Sequence, residues 1–589
     1  MATNLLKIST TFYTLLSFFI LFLSPSLEAF SFSPNTTCNL TPYPTFCKTT
    51  MPSQYSSIHD QCNFFLIQSL SITKTIIQEV SSYLRDQSYI PLSTTHALED
   101  CLYLAQLNID FLSNVLQAIE NTVISYQAYN FQTILGAILT NQNTCLDGFH
   151  EVAPYPRITT PLSNPLSEGI KLYSIALALF THGYVSDDAT GKLTFNNNNK
   201  LLQKISIVDN VMVRQKVVVN LDGSGNFTTI NDAVDAAPNN TGTNNGYYVI
   251  YVVTGVYNEY VSIPKSKQNV MIIGDGINCT VITGNRSVVD GWTTFQSATF
   301  DFDREASNHR GIPLLPGYGK SGEPQVMHHV LNQNLKALVS WIFFTYTLFH
   351  LSPHIQSVVG EGFVAVNISF RNTAGSNKHQ AVAVRNGADM STFYNCNFEG
   401  YQDTLYTHSF RQFYKNCNIY GTIDFIFGNS AAVFQDCYIY PRLPMRNQFN
   451  AITAQGRTDP NQNTGISIQN CYIVASYELG DATNNYNKMK TYLGRPWKEY
   501  SRTVYMETFI DKLIDPKGWM EWSGNFGLST LYYAEFSNWG PGSNTSKRVT
   551  WEGYHLINGN DAHSFTVYKF IRGDRWLPRT GVPFKAGLH

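Results

Sequence analysis

Hydrophobic residues change their period once along this chain. Between residues 30 and about 185 they recur at helical spacing, as in HALEDCLYLAQLNIDFLSNVLQAI (96–119) and YNFQTILGAILTNQNTCLDGF (129–149). That stretch is poor in glycine and predicts an all-α four-helix bundle. From Val213 the period shortens. Runs such as YYVIYVVTG, EYVSIP, NVMIIGDG and TVITGN alternate with turn residues and predict short strands. A polar tract with NNNNK at 196–200 separates the two patterns and predicts a linker over 186–212. The strand pattern runs to about residue 575, which leaves 576–589 as an expected C-terminal tail.

Within the strand-rich part the pattern repeats. FYNCNFEGYQD ends at Asp403 and FYKNCNIYGTID ends at Asp424, and the same N/D-C core recurs at Cys437 and Cys471. Cys396 to Cys417 is 21 residues and Cys417 to Cys437 is 20. A fixed period of this size predicts a solenoid, here an all-β right-handed parallel β-helix. Coils stack about 4.8 Å apart, so residues one period apart face each other. Asp403 and Asp424 each lie seven residues beyond their cysteine and are expected to stack. Gln380 lies 22 residues before Gln402 and is expected one coil further back. The same logic brings Cys396 and Cys417 within disulfide reach, with Cys437 and Cys471 as a second candidate pair. In the helical part Cys38 and Cys47 bracket a short loop, and Cys101 and Cys145 fall on separate helices; each pair is a candidate bridge.

The stacked pair gives the chain its candidate chemistry. Two carboxylates about 5 Å apart do not readily both ionise, so one is expected to hold a proton while the other stays charged. Asp424 sits in GTIDFIFGNS among bulky apolar residues, which argues against a solvated polar ladder. Glutamine amides beside the pair can donate to a developing oxyanion without carrying charge. Acid, nucleophile and oxyanion donors together point to acyl transfer. A retaining glycosidase also uses two carboxylates near this separation and is the rival enzyme reading.

Composition narrows the partners. The net charge of -2 and a charged fraction of 14% exclude an electrostatic nucleic-acid binder. With 35 Tyr and 37 Phe the chain could present aromatics to sugars, but a large β core uses the same residues. Lys7, the apolar run TLLSFFILFL (14–23) and small residues near Ala29 read as a signal peptide over 1–29, with no stable membrane anchor after its removal. Secretion fits sequons at Asn35, Asn39, Asn226, Asn239, Asn278, Asn285, Asn367 and Asn544, and ten cysteines without a CxxC pair. No His or Cys spacing suggests a metal site. DGSGNF (222–227) and GDG (274–276) lack the strand-to-helix context of a nucleotide loop and read as turns.

Six motifs in the strand-rich part resemble the plant pectin methylesterases (pectinesterases): GVYNEYV (255–261), HQAVAVR (379–385), GYQDTLY (400–406), GTIDFIFGN (421–429), TAQGRTDPNQNTG (453–465) and YLGRPW (492–497). CNLTPYPTFC, LEDC and LTNQNTCLDGF are similar to the pectin methylesterase inhibitor family. The resemblance implies hydrolysis of galacturonate methyl esters in pectin within the plant cell wall, without metal or organic cofactor. It implies Asp424 as nucleophile, Asp403 as proton donor and acceptor, and Gln402, helped by Gln380, as oxyanion donor. Arg495 would hold Asp424 ionised, Trp497 would stack on a sugar ring, and Thr294 would contact substrate. The inhibitor-like half implies contact with an esterase domain within this chain or in another.

Two features depart from the family. A basic processing sequence is expected between the halves, and only KLLQ (200–203) stands there. Residues 301–357 interrupt the strand pattern between QSATF and VVGEGF, and joining these runs nearly restores it. This segment is expected to be an atypical insertion, such as a retained intron, emerging near Thr294. The alternatives to an esterase are another pectin-active β-helix (a polygalacturonase or lyase) and a non-catalytic inhibitor whose esterase domain the insertion disables.

Overall fold

A computed structural model describes residues 34–85, 90–120, 125–151, 156–185, 211–302, 360–481 and 489–589. Residues 1–29, which carry the expected signal peptide, and most of the expected linker lie outside the described residues.

The helical part opens with two short helices, α1 (Pro34–Cys38) and α2 (Pro44–Thr50), followed by four long ones. These are α3 (Ile58–Arg85), α4 (Leu92–Ile119), α5 (Ser125–Glu151) and α6 (Pro156–Tyr184). They pack in a ring, α3 against α4 and α6, and α5 against α4 and α6. On α3 the buried positions Phe65, Leu66, Ser69, Thr73, Ile76 and Val80 follow the three-to-four spacing of a single apolar face. Some buried polar groups pair across the bundle: Asn141 donates to Asn108 at 2.9 Å, and Thr73 and Tyr173 share a hydrogen bond of 2.7 Å. Disulfides join Cys38 to Cys47 and Cys101 to Cys145, with Cα separations of 5.5 and 4.5 Å. The second ties α4 to α5.

The remainder is a parallel β-helix of three sheets with 11, 8 and 7 strands. From Tyr247 to Ile510 successive coils give one short strand to each sheet in turn. The first sheet runs from Val213–Val219 to Tyr554–Leu556, the second from Gly255–Tyr257 to Phe509–Ile510 and the third from Val261–Ile263 to Thr491–Gly494. Every pairing among them is parallel, as coil-on-coil stacking requires.

The N/D-C repeat has a local cause. Asn367, Asn395, Asn416, Asp436 and Asn470 all have φ between 51° and 58° and turn the chain from the first sheet into the second. Asn and Asp tolerate this left-handed conformation better than other side chains that carry a Cβ. Their side chains also bond coil to coil: Asn395 donates to Asn367 at 2.6 Å and Asn470 to Asp436 at 2.7 Å. The next residue faces inward, where the four cysteines stack with Phe393, Tyr414 and Phe434. Those rings lie nearly parallel at 5.2 and 4.5 Å. Much of the aromatic content is therefore core.

Stacking does not make disulfides here. Cys396, Cys417, Cys437 and Cys471 are buried free thiols, contrary to the pairing expected from the repeat. In a parallel ladder, equivalent Cα–Cβ bonds point the same way one strand spacing apart, whereas a disulfide needs them to converge to about 3.8 Å between Cβ atoms. Each thiol instead donates to backbone carbonyls, as Cys417 does to Phe393 and Lys415. Cys62 is buried and Cys279 exposed, and both are free.

Two further expectations change. Residues 576–589 are not a tail: Trp576, Leu577 and Val582 are buried against the first sheet, and the Lys585 N–H donates to Gln435 at 2.8 Å. The interrupting segment also starts later, because Asp301 and Phe302 complete strand Phe300–Phe302, which pairs on both sides in the third sheet. Residues 303–357 lie outside the described residues. The flanking residues Phe302 and Gly360 sit where the third-sheet strands end. The Arg385 guanidinium donates to the carbonyls of both Phe302 and Phe295, at 3.1 and 3.0 Å, so the flank Phe302 lies close to the residue that follows Thr294. The glycine-rich stretches are turns: in 222–227 the Asp222 carboxylate accepts from the Ser224 N–H at 2.8 Å.

Candidate active site

The register of the third sheet places the two aspartates opposite each other. Strands Leu405–Thr407 and Ile426–Gly428 pair Leu405 with Ile426, and each aspartate precedes its strand by two residues. Asp403 and Asp424 have φ of 63° and 53°, so both lie at the same left-handed corner. They stand about one coil spacing, 4.8 Å, apart at the backbone. The glutamines keep the expected register. The Ala381 N–H donates to the Gln402 carbonyl just as the Asp403 N–H donates to Ile423, which sets Ala381 opposite Asp403 and Gln380 opposite Gln402. Both glutamines line one cleft of about 330 Å³ with Asp403, Asp424, Thr294, Arg495 and Trp497.

Arg495 follows strand Thr491–Gly494 and grips Asp424. Its Nε donates at 2.9 and 3.2 Å to the two carboxylate oxygens, and one terminal nitrogen donates at 2.6 Å. A planar fork on a carboxylate fixes both orientation and charge. The guanidinium lies 4.2 Å from the Trp522 ring centre and 5.2 Å from that of Phe449, so both faces of the pair are partly shielded from water. Gly428 ends the neighbouring strand with φ of 126°, where a Cβ would lie 2.1 Å from the Thr407 carbonyl. The glycine in GTIDFIFGNS is thus needed for coil stacking beside the site.

Burial and charge separate the two acids. Asp403 is held well above the usual carboxylate range, first by burial and then by the charge of Asp424. Burial also raises Asp424, but the hydrogen bonds and charge of Arg495 oppose it. Both shifts are upward and the larger is on Asp403, so a proton on the pair favours Asp403 and Asp424 is the more readily ionised member. Because the folded protein holds the Asp403 proton more tightly, this group's stabilising contribution is complete below its unfolded value of about 3.9 and is lost as pH rises through the folded value. Asp403→Asn is expected to raise Tm at pH 7 by about 2 °C or more, with the gain shrinking below about pH 4. Scanning calorimetry at the two pH values checks this.

Trp497 is half-buried in the cleft wall, edge-on to Phe427 at 5.9 Å and to Tyr406 at 6.4 Å. His408 is buried and kept neutral by burial, bonded to Thr144 at 2.9 Å and to Ser409 at 3.1 Å.

Helix α5 lies along this cleft. Tyr129 near its start donates to the Phe570 carbonyl at 2.9 Å and packs 3.8 Å from the Arg572 guanidinium. Further along, Asn429 donates to Thr140 at 2.9 Å and Asn143 to Thr458 at 3.2 Å. At its end Asp147 pairs with Lys498, and the Glu151 carboxylate accepts from the Thr294 N–H at 3.0 Å. From α4, Asp100 accepts from Thr293 and Gln296, while His96 stacks on Trp292 at 4.5 Å. Thr144, Asp147, His150 and Glu151 share the cleft with the two aspartates. Sequence reading did not single out Asp147, Glu151, Lys498 or Trp522. The first lies in CLDGF and Lys498 follows GRPW, so both were beside recognised motifs, but nothing in the sequence paired one with the other.

A buried acid pair, a guanidinium on one member and two amides in the same cleft, set on a β-helix, fit an ester hydrolase. Comparisons identify which kind. Residues 216–326 and 346–574 match the family described as Pectinesterase, and residues 33–179 match Plant invertase/pectin methylesterase inhibitor. The chain belongs to the pectinesterase family and carries an N-terminal inhibitor-family domain. The break between 326 and 346 falls inside the interrupting segment. Among its relatives is "Probable pectinesterase/pectinesterase inhibitor 41" of Arabidopsis thaliana, 44% identical over 94% of this chain and 95% of that one. "Pectinesterase 2" of Citrus sinensis is 40% identical over 96% and 97%. The solved "Pectin methylesterase from Carrot" is 46% identical, with a TM-score of 0.52 over 63% of this chain and 98% of its own.

Proposed function

We propose that this chain hydrolyses galacturonate methyl esters of pectin with Asp424 as nucleophile, and that its own helical domain covers the site in the uncleaved protein. The observation that carries the first part is the asymmetric acid pair, Asp424 forked by Arg495 and Asp403 buried without such a partner.

Asp424 attacks the C6 carbonyl. Gln402 and Gln380 donate N–H bonds to the oxyanion, which in this shielded cleft are worth more than in water. As the tetrahedral intermediate collapses, the C–O bond to methoxide breaks and Asp403 delivers its proton, releasing methanol. Water then attacks the acyl-enzyme, Asp403 takes its proton, and the free galacturonate and the Asp424 carboxylate are regenerated. Trp497 supports a sugar ring by stacking, and Thr294 lends its backbone at the cleft edge.

The cover is supported by the contacts of α5 and by KLLQ, a single basic residue where a processing sequence is expected. The signal-like residues 1–29 support secretion to the cell wall. Methanol release, measured beside new reducing ends from methylated homogalacturonan, tests the reaction. Methanol without chain scission is expected; scission without methanol would favour a glycosidase or lyase.

A further inference from the structure

Helix α5 meets the cleft with two carboxylates, Asp147 and Glu151, four residues apart and so on one face of the helix. Each has taken a donor belonging to the β-helix: Asp147 the Lys498 ammonium, Glu151 the Thr294 N–H. A helix that lies in a polyuronate groove and seats acids on its donors marks where the groove accepts acids. Lys498 is the informative donor. Arg495, the cation beside the acid pair, is already committed to Asp424. Lys498 Nζ lies 5.0 Å from the ring centre of Trp497, the aromatic surface offered to a sugar. A methyl ester is neutral and gains little from an ammonium, whereas a sugar already hydrolysed carries a carboxylate that gains a charge-assisted bond.

We infer that Lys498 forms a subsite for the free carboxylate of a galacturonate neighbouring the scissile ester, and that Asp147 occupies that subsite in the uncleaved chain. This rests on the esterase reading. It makes the enzyme favour esters next to sugars already de-esterified, a preference set by one side chain.

The test uses the full chain with Asp147→Asn and Glu151→Gln, which removes the acids that compete for the groove. Into that background go Lys498→Met and Lys498→Arg. Methanol release is then measured on fully methylated and on half de-esterified homogalacturonan. Lys498→Met is expected to raise KM about tenfold on the half de-esterified polymer only, Lys498→Arg to keep KM within about twofold, and added salt to erase the difference. Equal KM changes on both polymers, or none on either, would overturn the subsite while leaving the esterase reading intact. Absence of methanol from both polymers, both before and after cutting the chain at 196–200 and separating the halves, would overturn the esterase reading and the subsite with it.

Discussion

Asp424→Asn is expected to reduce methanol release by four to six powers of ten, the scale on which removal of a nucleophile acts (~10⁴–10⁶). Asparagine keeps the shape of the side chain but cannot form the acyl intermediate. It also removes the charge that holds Arg495, leaving a guanidinium in a half-buried site with a weaker acceptor. Because Asp424 raises Asp403 by its charge, the substitution should bring the Asp403 carboxyl down toward the ordinary range as well. Loss of activity with a cooperative thermal transition retained separates lost chemistry from lost fold.

Arg495→Met is expected to cost about two to three powers of ten in kcat, comparable to losing a preorganised electrostatic group. The argument runs through charge. Burial favours protonated Asp424, and Arg495 is the group that opposes it. Without the guanidinium, Asp424 binds a proton more tightly, and the acidic limb of the pH–rate profile should move to higher pH. Arg495→Lys restores a charge but not the two-pronged grip, so it should recover part of the pH shift and little of kcat. A merely structural arginine would lower Tm without moving the limb. The profile of kcat against pH decides between these.

The ladder of aspartates was legible because a β-helix converts sequence period into distance. Twenty-one residues between Asp403 and Asp424 become one coil spacing, and the cysteines report the same period. The same conversion set Gln380 opposite Gln402, a pair 22 residues apart on neighbouring coils. The expected Cys396–Cys417 and Cys437–Cys471 bridges followed from proximity alone, which ignores that stacked Cα–Cβ bonds are parallel. The packed C-terminus was read as a tail because an anchor such as Lys585 meets Gln435, 150 residues away, and no local pattern encodes that. The same limit hid the α5 contacts. Asp147 and Lys498 are 351 residues apart, joined only when one domain lies against the other. Of the apolar neighbours read as a desolvating shell for Asp424, Phe427 lines the cleft, whereas Phe425 and Ile426 pack in the β-helix core, and Trp522 and Phe449 flank Arg495 from distant coils.

The most direct measurement places a specific protease site in the polar tract at 196–200 and follows methanol release from methylated homogalacturonan before cutting, after cutting and after separating the halves. The uncut chain should be nearly silent, because a tethered domain acts at an effective concentration in the millimolar range. The separated β-helix should release methanol at least about tenfold faster, and adding back the helical half should suppress it. Equal rates before cutting and after separation would contradict an esterase site covered by its own N-terminal domain.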